Sequence, residues 1–291
     1  AGSNAALHVA SGEIIFLVDC DTSFDRSTIL HMVGPFHDPK IGIVAGNIKV
    51  RNAYTNALAA MQGAEYLISI GMWKEWLNTF NMNYLASGAF GAFRREAVER
   101  VGGWDPELAE DADLSMKIKR SGYNMEFAPK AIAMTNAPTS MRVLINQRIR
   151  WDRGMVRTYF RKHRSIMKFW VYDWRLFIEI AQEILFAMIF AYGFAIYTLI
   201  MLFVDPFFFF FVYFCCTVIF MVSTAFALAV HLAQSERRKQ EMWYLMTVPI
   251  MPFYKELFRW VRIYAITLEL LRLNYENSFL PKSSWNNTKK W

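Results

Sequence analysis

Gln147, Arg150 and Trp151 stand at i, i+3 and i+4, so on a helix an amide, a guanidinium and an indole share one face. Arginine makes charge-assisted bonds to phosphate oxygens and an indole stacks on the apolar side of a sugar ring. The trio therefore suits a sugar attached to a diphosphate. Taken singly, Trp151 is as readily a core aromatic and Arg150 a solvated surface charge; the grouping is what informs. Upstream, Asp19 and Asp21 flank Cys20 after the apolar run 14–18. Loop carboxylates two apart can converge on Mg2+ or Mn2+, which takes its other ligands from water and substrate phosphates. The plain alternative is a helix-capping loop. Glu110 and Asp111 precede a helical pattern, where the dipole favours the ionised carboxylate that a general base needs. Simple capping competes there too.

These groups need a scaffold, and the composition implies two kinds. The 291 residues carry a net charge of +7 and are 55% hydrophobic, too much for an ordinary soluble domain and too little for membrane spans alone. Residues 184–204 and 206–230 hold no charged residue, and each run is long enough to cross a hydrocarbon core of about 30 Å. Two transmembrane helices joined at Asp205-Pro206 are expected. Arg157, Arg161, Lys162, Arg164 and Lys168 precede the first, and Arg237, Arg238 and Lys239 follow the second, so both flanks should be cytoplasmic. Cys20, Cys215 and Cys216 give no disulfide framework and are expected as free thiols.

In the first half, strand-like and helix-like stretches alternate, which argues for an α/β domain. The run 13–18 reads as a buried strand of a parallel sheet with a loop at its C-terminal edge, where ligands of such sheets bind. Helices are expected over 25–33, 56–79 and 113–121, and strands over 41–45, 84–87, 92–94, 124–127 and 131–135. A helix opened by Pro138 and Thr139 carries the Gln147 group. Residues 4–7 look like the middle of a helix. Beyond the second span, residues 254–273 form a basic, aromatic amphipathic helix that either lies in the interface or takes part in a third crossing.

Asp19-Cys20-Asp21, Ser87-Gly88-Ala89-Phe90, Glu110-Asp111 and Gln147 to Trp151, in this order before paired spans, resemble the membrane-embedded processive family 2 glycosyltransferases. These are the cellulose, hyaluronan, chitin and poly-N-acetylglucosamine synthases. Ala1 to Asn4 resembles the end of the family's Lys-Ala-Gly-x-x-Asn stretch. The resemblance implies a GT-A nucleotide-sugar transferase domain, α/β and incomplete at its N-terminus, followed by an α-helical membrane region. The division it suggests is a cytoplasmic transferase domain over 1–153, interfacial helices over 154–183, a transmembrane hairpin over 184–233 and an interfacial or third membrane helix with a tail over 234–291.

By the same resemblance Asp19 and Asp21 bind the donor diphosphate, Asp21 through Mg2+ or Mn2+. Arg150 holds the leaving group, supported by Gln147, and Asp111 is the catalytic base. Trp151, Ser87, Gly88 and Glu110 lie on the acceptor side. The implied protein is an inverting β-glycosyltransferase of the cell membrane, inner or plasma, that polymerises a UDP-sugar and moves the polysaccharide through its own helices. Its partners are the UDP-sugar, the growing polymer and the lipid bilayer, with no nucleic acid; accessory subunits and control by a cyclic dinucleotide stay open. The Ser87-Gly88 stretch favours UDP-N-acetylglucosamine over UDP-glucose. Rival readings are a non-processive transferase to a lipid carrier and an inactive membrane scaffold. Two departures stand out: Ala109 replaces the threonine of many cellulose-type members, and the family's first strands, with their uridine-binding acids and lysine, are not in this sequence.

Overall fold

The computed structural model describes residues 2–106, 108–167, 174–235 and 237–271. Lys168 and residues 272–273 of the expected amphipathic helix lie outside them. A five-stranded mixed sheet organises the first half, in the order β1 (Ile14–Val18), β4 (Phe90–Arg94), β3 (Ile41–Val50), β5 (Asn124–Thr135) and β2 (Ser23–Phe24). β3 is buried along its whole length and runs parallel to β5, while the other pairings are antiparallel. One face of the sheet packs Ile43, Phe93 and Phe127 against Leu114 and Ile118; the other packs Val44, Ile48 and Phe90 against Met32 and Phe36. Around it lie α1 (Gly2–Val9), α2 (Thr28–Val33), α3 (Ala57–Tyr66), α4 (Trp73–Thr79), α5 (Arg95–Arg100) and α6 (Glu110–Arg120). A π-helical stretch over Leu67–Met72 joins α3 to α4 in one long rod, and the Asn56 side chain caps its start by accepting from the Ala59 amide.

Several expectations change. β1 is an edge strand, half-buried and antiparallel to β4, rather than a buried strand of a parallel sheet. Its unbroken apolar run arises because both faces are covered: Ile15 and Leu17 join one core cluster, and Ile14, Phe16 and Val18 the other. Hydropathy carries no information on strand direction. The two short strands expected over 124–135 are one strand, whose register against β3 jumps between Gly46 and Asn47. Pro129, which has no N–H for the ladder, sits at the jump, and Asn47 Nδ2 donates to its carbonyl at 3.0 Å. Residues 84–87 form no strand, because side chains occupy their backbone groups instead. The helix expected from residue 25 starts at Thr28, behind the two-residue strand β2.

The second half is helical: α7 (Met141–Val156), α8 (Trp174–Ile184), α9 (Phe190–Val204), α10 (Pro206–Gln234), the short α11 (Arg238–Glu241) and α12 (Met251–Leu270). α8 and α9 join through a π-helical stretch into one helix of 31 residues, and α10 has 29; both are long and apolar enough to cross a membrane. Their apolar side chains point outward, with Phe203 88% and Phe207 85% exposed, which a soluble core helix would not show. Among the described residues no other helix meets that length and apolarity, and α12 carries Lys255, Glu256, Arg259, Arg262 and Glu269.

Buried ion pairs brace the second half and bind it to the first. Glu269 of α12 accepts from Arg153, Arg157 and Arg161, all at 2.8–2.9 Å. Glu65 of α3 meets Arg148 of α7 and Lys255 of α12 at 2.5 Å each. Lys49 of β3 reaches Glu241 of α11 at 2.6 Å. Burial alone would raise the pKa of Glu65, Asp113 and Glu241, yet their cationic and hydrogen-bonding partners hold each at about 2. From the unfolded value near 4.5 down to 2, the unfolded chain then binds more protons than the native one, so stability falls as pH falls through that window. We expect the stabilisation from these three carboxylates to be complete above about pH 4.5 and the melting temperature in lipid nanodiscs to drop from there towards pH 2, each carboxylate contributing on the order of 1–3 kcal/mol. Glu65→Gln should lower stability at pH 7 while making the acid slope shallower, as followed by thermal unfolding across pH.

Candidate active site

Asp19 begins the loop after β1, and its amide donates to Ala89 O at 3.3 Å. Arg51, at the end of β3, holds the rest of this loop: its guanidinium donates to Asp21 O at 2.8 Å and Ser23 Oγ at 3.2 Å. Thr135, at the end of β5, donates from Oγ1 to Asp21 Oδ1 at 3.3 Å. Loop backbone is thus tied down while the Asp19 and Asp21 carboxylates stay exposed.

Asp111 lies in the first turn of α6, as the sequence suggested. The residue before that helix, Ala109, adopts left-handed backbone (φ 58°, ψ 48°), a conformation costing an L-residue about 1–2 kcal/mol. The turn brings Asp111 Oδ2 to the Gly88 amide at 2.8 Å, while Oδ1 accepts from the Ala112 amide at 2.8 Å. Ser115, one turn further along α6, accepts from the Ala86 amide at 3.2 Å. Segment 85–89 is therefore strung between the Asp19 loop and α6.

Charge shows which groups have converged. Asp19 has its pKa raised by partial desolvation and then by the Asp21 carboxylate; Arg150 opposes this and Asp111 adds to it. Glu110 is raised by desolvation, with Asp111 and Asp19 adding and Arg150 opposing. Four carboxylates and one guanidinium from three distant stretches thus share one field. Gln147 lies on the same face of α7 as Arg150, and its buried Oε1 has no protein partner. Trp151 is 39% exposed on that face, and the Arg148 guanidinium lies over its ring at 4.7 Å. Arg148 is fixed in turn by Glu65. Stacking of this kind contributes about 0.5–2 kcal/mol and holds the indole plane.

Asp19 and Asp21 suit a divalent cation by chemistry: two open carboxylates two residues apart on a braced loop, crowded by further negative charge. Among the described residues no cluster of three or more His, Cys, Asp or Glu could enclose a metal. A bound ion would therefore draw most of its ligands from a diphosphate and water.

Four contributors escaped the sequence reading. Arg51 and Thr135 are brought to the loop by the sheet, and no local pattern marks them. Lys74 reaches the back of segment 85–89 from α4, donating to Leu85 O at 2.9 Å. Gly154 permits the closest approach in the site: a Cβ built there would stand 2.6 Å from Ala109 Cβ. The glycine three residues beyond Trp151 was the available signal.

Residues 14–230 match the family described as glycosyl transferase family group 2, and the chain belongs to that family. Poly-beta-1,6-N-acetyl-D-glucosamine synthase of Staphylococcus aureus is 33% identical over 167 residues, 57% of this chain and 40% of that protein. The probable glycosyltransferase YdaM of Bacillus subtilis is 31% identical over 158 residues, 52% of this chain and 36% of its own length. The chain thus spans less than half the length of these curated relatives. In structure it is similar to a mannosyltransferase of Pyrobaculum calidifontis solved with GDP-Man and Mn2+, with a TM-score of 0.55 and 19% identity over 94% of this chain and 66% of that one. The fold is the GT-A glycosyltransferase fold with a helical C-terminal part.

Because Gly154 sets how closely α7 approaches the Ala109 turn, Gly154→Ala should move Arg150 and Glu110-Asp111 apart. A displacement of this size is expected to cost on the order of 10²-fold in sugar transfer. Adding Ala109→Gly removes the opposing Cβ and suits the left-handed backbone, so the double variant should regain most of the loss, measured as turnover of donor in reconstituted membranes.

Proposed function

We propose that this chain is the catalytic and membrane-entry part of an inverting β-glycosyltransferase that builds a polysaccharide from a UDP-sugar at the cytoplasmic face of a cell membrane. The observation that carries the reading is that Asp19, Asp21, Glu110, Asp111 and Arg150 lie near enough to act on one another's charge, with Asp111 held on the Gly88 amide. Family membership and the synthase relative support polymer synthesis, and that relative's product favours UDP-N-acetylglucosamine as donor. The exposed apolar helices α8–α9 and α10 support embedding in a bilayer, and the basic flanks support a site on the cytoplasmic side.

The chemistry is a single displacement. The acceptor hydroxyl oxygen attacks the anomeric carbon, its proton passes to Asp111, and the bond from that carbon to the phosphate oxygen breaks with its electron pair leaving on UDP. An α-linked donor then yields a β-linked product. Asp111 is oriented by two amides, so one carboxylate face stays in place through the transfer. Arg150 faces the leaving diphosphate and offsets the charge that develops there. A divalent cation held by Asp21, with Asp19 beside it, would supply further charge neutralisation on the diphosphate. Ser87 and Gly88 line the acceptor side with Glu110, and Trp151 offers the sugar an indole face.

Supplying the protein in lipid with UDP-N-acetylglucosamine or UDP-glucose and Mg2+ or Mn2+, then sizing the product, tests this directly. A long polymer from UDP-N-acetylglucosamine is expected. Products carrying one added sugar on a lipid would replace processive synthesis with single transfer to a carrier. Asp111→Asn should lower turnover by about 10²- to 10⁴-fold; unchanged turnover would remove Asp111 as the base, and wild-type protein without turnover would leave the scaffold reading.

A further inference from the structure

Lys74 is half-buried on the inner side of α4, while its neighbours Trp73 and Trp76 stack on each other at 5.0 Å on the exposed side. Its ammonium donates to Leu85 O at 2.9 Å, and its own carbonyl accepts from Asn83 Nδ2 at 3.1 Å. Asn83 is 2% exposed and also donates to Asn78 Oδ1 at 2.9 Å, so the stretch from Asn83 to Leu85 is stapled to α4. The following residues are gripped from elsewhere: Ala86 by Ser115, Gly88 by Asp111, and Ala89 by the Asp19 amide. One short segment thus joins both acidic stretches, with a lysine at its root.

A desolvated ammonium is a costly way to hold a loop, since an apolar side chain of similar volume often does as well or better. What it adds is charge, and Asp111 of α6 is the carboxylate whose charge acts on it. On its other flanks the charged group at hand is Lys119, whose Nζ donates to Asn83 O at 2.5 Å; Glu75 on α4 is exposed. Desolvation pulls the Lys74 pKa down to about 8, and Asp111 works against that shift.

We propose that Lys74 is a positioning residue for the acceptor sugar: through Leu85 it fixes segment 85–89, and its positive charge draws Asp111 towards that segment. The proposal rests on the reading that Asp111 takes the acceptor's proton and that Ser87 and Gly88 lie beside the acceptor. Because the charge must be present, acceptor-dependent kcat/KM should fall as pH rises through about 8. The donor, held by Asp19, Asp21 and Arg150, should be spared.

Kinetics of the reconstituted protein, with UDP-N-acetylglucosamine as donor and a short N-acetylglucosamine oligosaccharide as added acceptor, decide the matter. Lys74→Met should raise the acceptor KM by about tenfold or more with little change in donor KM, as loss of a charged hydrogen bond would. Lys74→Arg should keep most of the activity and move the alkaline limb upward by more than one pH unit, because guanidinium stays protonated. The proposal is overturned if Lys74→Met raises donor and acceptor KM alike, or if Lys74→Arg leaves the alkaline limb in place. Failure of the underlying reading looks different: wild-type protein inert towards sugar donors, or Asp111→Asn fully active, would remove both.

Discussion

Repulsion among four carboxylates is the constraint around which this molecule is arranged. Asp19, Asp21, Glu110 and Asp111 come from two loops almost a hundred residues apart, and bringing them together opposes folding. Three devices offset it. Backbone amides at a helix N-terminus and at Gly88 receive Asp111. Arg150 is set against the cluster by α7, and the loop carboxylates are left in water, where mutual repulsion is weakest. A divalent cation arriving with a diphosphate would offset part of what remains.

The helical half is held by buried pairs of a different kind. Glu65 and Glu241 link the first half to the helices that follow, Glu269 ties α12 to α7, and each is matched by two or more cations or donors. Removing one partner of such a pair costs about 3–5 kcal/mol, because the charge left behind stays buried. Arg237, just beyond α10, donates from Nη2 to both carboxylate oxygens of Asp25, at 2.7 and 3.0 Å, four residues after Asp21. The end of α10 is therefore not loosely tethered: the residues that follow it are anchored to the strands and loops that build the site.

Much of the site was legible because it is written in short motifs whose residue types have few other uses together. Asp19, Asp21, Asp111 and Arg150 could be picked out, and the two apolar helices announced themselves by composition. The position of Asp111 at a helix start followed from local pattern alone. Strand direction was not legible, since β1 has the same hydropathy whether its partner runs parallel or antiparallel. Nor was the left-handed Ala109, because alanine is a poor advertisement for that conformation, and glycine or asparagine would have signalled it. Lys74 and Arg51 remained hidden for a third reason: each acts on backbone carbonyls brought near by tertiary packing, and a backbone partner leaves no trace in sequence.

Helix α7 shows why the site and the helical half behave as one object. At 3.6 residues per turn, positions 147, 150, 151 and 154 fall within about a third of its circumference, which presents Gln147, Arg150 and Trp151 to the site and lets Gly154 touch the Ala109 turn. Arg148 and Asp152 sit on the next sector and engage Glu65 and Arg262; Arg153 and Arg157 occupy a further one and clasp Glu269. The helix cannot turn to improve one of these interfaces without losing another. Rotation of α7 is thus fixed by groups on three sides, and the orientation of the indole and guanidinium towards the carboxylates is a consequence of contacts with α3 and α12 as much as of their own chemistry.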